Sequence, residues 1–551
     1  MKKAALAVAT LSLSALLASS CSPNAPSGDK HAQARRPESK PGEYFKPEQR
    51  ATSGSVVVGG NRIEYQAIAG TLVVHPKGWD DAPDGNEPQA PKPLGPGGDA
   101  GGNPKAEASM FYAAYFKKGA VASHRPIMFV FNGGPGSSSV WLHMGAFGPR
   151  RIKTADNSHT PAAPYGLVNN DQSLLDVSDL VFIDAPGTGF SRIAGKDKEK
   201  TFYGVDQDGY AFAEFISEFL SKYSRWNSPK YIFGESYGTT RSAVLANMLE
   251  NERDIDLNGV ILLSQILNFD LSVDDAQTNP GIDLPYVLAL PTYAATAWYH
   301  HKAAGNPPDL EAFLKDVEHF AMTDYVQALE AGSSLDPAKR DAVVAKLAQY
   351  TGLSPDYIKK ADLRINGGEF EKTVLGDTDT TTGRLDTRFS GPTLDPLSEG
   401  SEYDPQASAI SSAYVSAYNG YVRDQLHYGQ DKTFKPSIQI FRSWEYKHQP
   451  PHVPIALPQS TNVMPDLANA MKTNPNLKIQ LNAGYYDLAT PFFEGVYEMQ
   501  HLQIPQKLQS NIEFRFYQSG HMVYAHEESL KTLHDNVADF IRRTNNVPNG
   551  G

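Results

Sequence analysis

The sequence predicts an α/β protein with a mostly parallel central sheet and a mainly helical cap inserted between sheet strands. Three observations predict this. Short continuous apolar runs at residues 126–131, 180–183, 230–233 and 259–264 suit buried strands and alternate with helical spacing such as 209–223. The first three runs end in loops rich in glycine (NGGPGSSS, DAPGTGFS and GESYG), as in sheets whose chemistry sits at the strand C-termini. Between residues 268 and 454 core-type strands give way to helical segments, and strands resume at 477–481 and 512–517.

Lys2 and Lys3 precede an apolar run over 4–17, then Ala18-Ser19-Ser20 and Cys21. This is the layout of a bacterial secretory signal, and the run is too short to span a membrane well. Cys21 follows small residues as in a lipoprotein processing site, so residues 1–21 are expected to be a signal and Cys21 to carry lipid. Cys21 is the only cysteine in the chain, so no internal disulfide can form. Residues 22–53 are polar and aperiodic, as in a tether. Residues 54–267 read as the first part of the core, with a hairpin at 55–74, an exposed Gly/Pro-rich loop at 84–105 and a strand at 111–116. The cap is expected over 268–455, with helices at 310–321 and 339–350 and a polar patch at 367–391. Residues 456–551 complete the core and end in a helix at 527–543.

Composition excludes some partners. The 551 residues carry a formal charge of −12 without a basic run, which argues against nucleic acid. Gly187-Thr188-Gly189 lacks the third glycine of a dinucleotide fingerprint and reads as a tight turn. His300, His301, His448 and His452 have no HExxH or cysteine context, so no metal and no cofactor is expected.

The chemistry centres on residues 229–249. Here a short apolar strand enters Gly234-Glu235-Ser236-Tyr237-Gly238 and leaves directly as a helix, the setting of a nucleophile elbow. Ser236 is the expected nucleophile. The two resumed strands run into Asp487 and His521, giving the chain order Ser, Asp, His of the α/β-hydrolase fold. In that arrangement His521 takes the Ser236 proton and returns it to the leaving group, while Asp487 holds the imidazole tautomer.

Together NGGPGSSS at 132–139, IDAPGTGFS at 183–191, GESYG at 234–238, Asp487 and GHMV at 520–523 resemble the serine carboxypeptidases. The resemblance implies an α/β-hydrolase core, a helical cap, and removal of single C-terminal residues from peptides with a free C-terminus. It further implies an oxyanion hole from the Gly134 and Tyr237 N–H groups, and a receptor for the substrate carboxylate from Asn132, the Gly133 N–H and Glu235. A glutamate binds a carboxylate only when one of the two is protonated, so Glu235 is expected to have a raised pKa. Three departures stand out: Ser137 replaces the family cysteine, Ala146 falls where a second glutamate of the receptor is expected, and Tyr524 replaces a proline.

Three functions fit these residues. A serine carboxypeptidase uses all of them; an esterase or acyltransferase needs only the triad; a non-catalytic surface-binding lipoprotein needs only the fold. In each case the expected location is the bacterial cell envelope, with the membrane reached through a lipid anchor at Cys21.

Overall fold

The computed structural model describes residues 44–79, 106–457 and 459–547. Its sheet contains β1 (Gln49–Val58), β2 (Asn61–Val74), β3 (Glu107–Lys117), β4 (Ile127–Phe131), β5 (Asp179–Ile183), β6 (Lys230–Glu235), β7 (Gly259–Leu263), β8 (Lys478–Gly484) and β9 (Ile512–Tyr517). Their spatial order is β1-β2-β3-β5-β4-β6-β7-β8-β9, and a short strand Arg192–Ala194 also pairs with β3. The first three strands are antiparallel to their neighbours, and from β5 onward every pairing is parallel. The mostly parallel sheet expected from the apolar runs is therefore present.

The runs are continuously apolar because both faces of the central strands are covered. Met128 and Val130 of β4, with Phe233 of β6, face a cluster completed by Leu530, Leu533 and Val537 of the last helix. Ile127, Phe129 and Phe131 alternate onto the other face, against Phe212, Ile216 and Phe219 of α1 (Val205–Lys222). Full burial of such a side chain stabilises the fold by roughly 1.5–3 kcal/mol. The sheet is thus enclosed between helical layers: α2 (Tyr237–Glu252) lies on the α1 side, while the last helix spans Glu527–Thr544.

The insertion is helical, as expected, but it is not a detached lid. α3 (Leu284–Tyr299), α4 (Leu310–Phe320) and α5 (Pro337–Thr351) share an apolar cluster with Tyr485, Tyr486 and Leu488, which follow β8. α6 (Pro405–Asp424) packs into the sheet's own core, where the Tyr421 hydroxyl lies 2.9 Å from that of Tyr115. The polar patch holds a small antiparallel pair, Thr380–Thr382 with Ser390–Pro392. The insertion closes where the Val463 N–H meets the Leu267 carbonyl at 2.9 Å, and α7 (Met464–Thr473) then packs on α2.

The expected tether overlaps the fold. β1 begins at Gln49, and Tyr44 already donates its N–H to Glu107 Oε2 at 2.8 Å. Residues 50–53 pair through backbone with 66–69, which needs no apolar side chain and so leaves no hydrophobic pattern. Residues 1–43, Cys21 among them, and the loop expected at 84–105 lie outside the described residues. Among the described residues, no helix is long and apolar enough to cross a membrane.

Candidate active site

Ser236 is the single residue between β6 and α2, with φ 61° and ψ −133°. This left-handed backbone costs a serine roughly 1–3 kcal/mol, and the surrounding bonds hold it there. Its N–H donates to the Leu263 carbonyl at 3.0 Å, and its own carbonyl accepts from the Thr239 N–H at 2.7 Å. Gly234 is required by contact, since a Cβ there would sit 2.2 Å from the Gly238 carbonyl oxygen, while one on Gly238 would lie 3.1 Å from the Phe131 carbonyl oxygen. Glu235 and Tyr237 are buried, while Ser236 stays partly exposed at the elbow tip.

The register brings the other two loops alongside. Leu263 at the end of β7 pairs with Glu235 on one side and with Asn482 on the other, so the loops after β6 and β8 leave the sheet at one level. Asp487 and His521 follow β8 and β9 at this same edge. His521 Nδ1 lies 2.8 Å from Asp487 Oδ2. Asp487 is fully buried and also accepts from the Thr490 N–H (3.0 Å) and hydroxyl (2.7 Å). Burial pulls the His521 pKa down, but the Asp487 charge and hydrogen bond outweigh it and hold the imidazole above its ordinary value.

The loop after β4 forms the facing wall. Phe131 pairs with Gly234, so residues 132–134 run beside the elbow. A Cβ on Gly133 would fall 2.5 Å from the N atoms of both Tyr237 and Gly238, and Gly134 follows directly. The Asn132 carbonyl accepts from Arg241 Nη1 at 2.7 Å, and its side-chain oxygen accepts from the Leu142 N–H at 3.2 Å. Glu235 is buried beside the Asn132 side chain, and its Oε2 accepts from the Tyr524 hydroxyl at 2.8 Å. Burial pushes the Glu235 pKa up to about 7; His521, Tyr524 and Asn132 pull against that rise, and Asp487 adds to it. The raised value expected for Glu235 thus arises from burial, with Ala146 adding no second carboxyl.

The structure therefore gathers Asn132, Gly133, Gly134, Glu235, Ser236, Tyr237, Asp487 and His521 at the C-terminal edge of the sheet. Sequence reasoning missed what holds them. Residues 384–388 of the polar patch thread between the loops that carry Asp487 and His521: the Arg384 carbonyl accepts from the Leu488 N–H (3.0 Å), the Leu385 carbonyl from the His521 N–H (2.6 Å), and Asp386 Oδ2 from the Gly520 N–H (3.1 Å). Asp386 is itself buried against the Arg388 guanidinium, 2.7 Å away. A second segment ties down the loops after β4 and β5, with the Ser138 N–H on the Pro436 carbonyl (3.0 Å) and the Gly189 N–H on the Lys435 carbonyl (2.7 Å). The first segment lies in the expected polar patch and the second in the expected cap, and neither carries a periodic signal. The one local signal was Asp386 and Arg388 set two apart.

The sheet order, the strained elbow and the loops at the parallel strand ends define an α/β-hydrolase. The family model of the serine carboxypeptidases matches residues 100–534, and the chain belongs to that family. Similar proteins include the pheromone-processing carboxypeptidase KEX1 of Yarrowia lipolytica, 31% identical over 143 residues, which is 25% of this chain and 22% of that protein. Serine carboxypeptidase-like 36 of Arabidopsis thaliana is 28% identical over 158 residues, 27% of this chain and 30% of that protein. The chain thus spans less than a third of the length of these relatives. Among solved structures, proline iminopeptidase of Mycobacterium smegmatis is 10% identical, with 90% of this chain and 99% of that chain covered at a TM-score of 0.31. A soluble variant of the monoglyceride lipase of Saccharomyces cerevisiae gives 10%, 84%, 99% and 0.32. Likeness at that level carries no functional argument.

Proposed function

We propose that this chain is a serine carboxypeptidase that releases C-terminal residues from peptides through an acyl-enzyme on Ser236. The observation that carries the reading is Glu235: a buried carboxyl with a pKa of about 7, adjoining the nucleophile and within reach of Asn132. A neutral carboxylic acid can donate to the terminal carboxylate of a peptide. An ester site has no use for such a receptor, which favours the carboxypeptidase over an esterase or acyltransferase on the same triad.

In this reading the substrate carboxylate accepts from protonated Glu235, the Asn132 side chain and the Gly133 N–H. Ser236 Oγ attacks the last peptide carbonyl as His521 Nε2 takes its proton, and the Gly134 and Tyr237 N–H groups bear the oxyanion. The C–N bond breaks when His521 returns that proton to the leaving amine. Water then attacks the acyl-enzyme, again through His521, and frees Ser236.

Blocked dipeptides with free and amidated C-termini, given to wild type and Ser236→Ala, test this. The free acid should be the preferred substrate, and Ser236→Ala should lower kcat on the order of 10⁴-fold or more. Equal turnover of acid and amide would move the esterase reading ahead.

We further propose, from the layout of residues 1–21 alone, that the chain is exported and anchored in the cell envelope by lipid on Cys21. Wild type should partition with membranes and Cys21→Ala should not; recovery of wild type wholly in the soluble fraction would refute the anchor.

A further inference from the structure

Tyr524 lies three residues beyond His521, and its hydroxyl reaches Glu235 Oε2 at 2.8 Å. Both side chains are buried. The ring is fitted to its place: it lies against the turn that carries Gly145 and Ala146, and a Cβ on Gly145 would fall 2.6 Å from it. A larger residue at 145 would displace the ring. The Asn132 side chain neighbours the same hydroxyl, so Tyr524 stands beside two of the three expected receptor residues.

From this geometry we propose that Tyr524 is the positioning residue of the carboxylate receptor, holding Glu235 by Oε2 so that Oε1 is presented to the substrate. The proposal rests on the carboxypeptidase reading and adds to it a residue that the reading does not use. A buried carboxyl with one free torsion can turn either oxygen toward the substrate, or neither; a fixed donor on one oxygen removes that freedom before binding. The same donor favours the ionised form of Glu235 and so limits how far burial raises its pKa. The other groups facing Glu235 are His521 and Asp487 from the loops after β9 and β8, Tyr414 of α6, and Asn132. Of these, Asn132 is expected to spend its hydrogen bonds on the substrate, and His521 serves Ser236. Tyr524 has no such duty.

The test is Tyr524→Phe, which keeps the ring against Gly145 and removes only the donor. The titration of Glu235 is read from its carboxyl stretching band, as the infrared difference between each protein and its Glu235→Gln counterpart. Loss of a hydrogen bond to a charged group should raise the Glu235 pKa by about one unit. KM for the free-acid peptide should rise about tenfold with kcat little changed, while the amidated peptide is unaffected. An unchanged rate of organophosphorus labelling at Ser236 shows that the fold and triad are intact. Should Tyr524→Phe fail to fold, 3-fluorotyrosine at position 524, a stronger donor in the same ring, should move the Glu235 pKa downward instead. An unmoved Glu235 titration, or equal losses on acid and amide, overturns the proposal. If wild type itself treats acid and amide alike, the carboxypeptidase reading falls, and the infrared titration still decides whether Tyr524 governs Glu235.

Discussion

The backbone N–H of His521 donates to the carbonyl of Leu385 at 2.6 Å, so the loop of the expected general base is held by the inserted segment rather than by the sheet alone. The neighbouring Asp386 carboxylate takes the Gly520 N–H and the Arg388 guanidinium, both away from solvent.

Asp386→Ala should therefore act on stability and turnover together. It removes the nearer carboxylate from the buried Arg388 guanidinium, which keeps Asp156 at 3.1 Å, and frees the loop that carries His521, at a cost of about 1.5–3 kcal/mol. Asp386→Asn keeps an acceptor and should cost less. Denaturant unfolding and kcat measured side by side check this, and a fully active Asp386→Ala protein of normal stability would show that the segment merely covers the site.

Strain at the elbow gives a prediction of opposite sign. Ser236 stands at φ 61°, where glycine meets no Cβ penalty. Ser236→Gly should abolish turnover and raise unfolding stability by about 1 kcal/mol, whereas Ser236→Ala keeps the strain and should not. Calorimetric comparison of the two variants decides it.

The pH dependence follows from Glu235. On the proposed carboxypeptidase reading, a pKa of about 7 makes Glu235 competent to receive a carboxylate at low pH, so kcat/KM for a free-acid peptide should fall as pH rises through that value. The amidated peptide needs no protonated receptor and should follow His521 alone. In Glu235→Gln the two profiles should lose their difference. Coincident profiles in wild type would contradict the role given to Glu235.

A fourth prediction lies away from the site. His448 is clamped between Asp206 (2.5 Å from Nδ1) and Asp466 (2.7 Å from Nε2). Burial pulls its pKa down, but the two carboxylates prevail and bring it to about 9. Because the folded value exceeds the unfolded value of about 6.5, the contribution is fully present below that unfolded value and is lost as pH rises through 9. Stability should drop by ~3 kcal/mol between pH 6 and pH 10 from this source. In His448→Ala that part of the slope should vanish, which unfolding curves across the pH range will read.

The sequence by itself determined the parallel sheet, the elbow and the identity of the residues gathered at its edge. Each is a local matter: continuous apolar runs bury on both faces, a Gly-flanked serine between strand and helix has one conformation open to it, and residues after parallel strands emerge at one end. Tertiary structure alone decided how those residues are held and tuned. Leu385, Asp386 and Arg388 come from a polar stretch that carries no periodic signal, yet backbone carbonyls and a buried ion pair bring it against Asp487 and His521. The start of β1 at Gln49 escaped for the same reason, since backbone pairing leaves no mark in side-chain pattern. The pKa of Glu235 is likewise beyond any spacing rule: it depends on how completely water is removed from one carboxyl, and on the Tyr524 hydroxyl, which the fold brings to it from the far end of the chain.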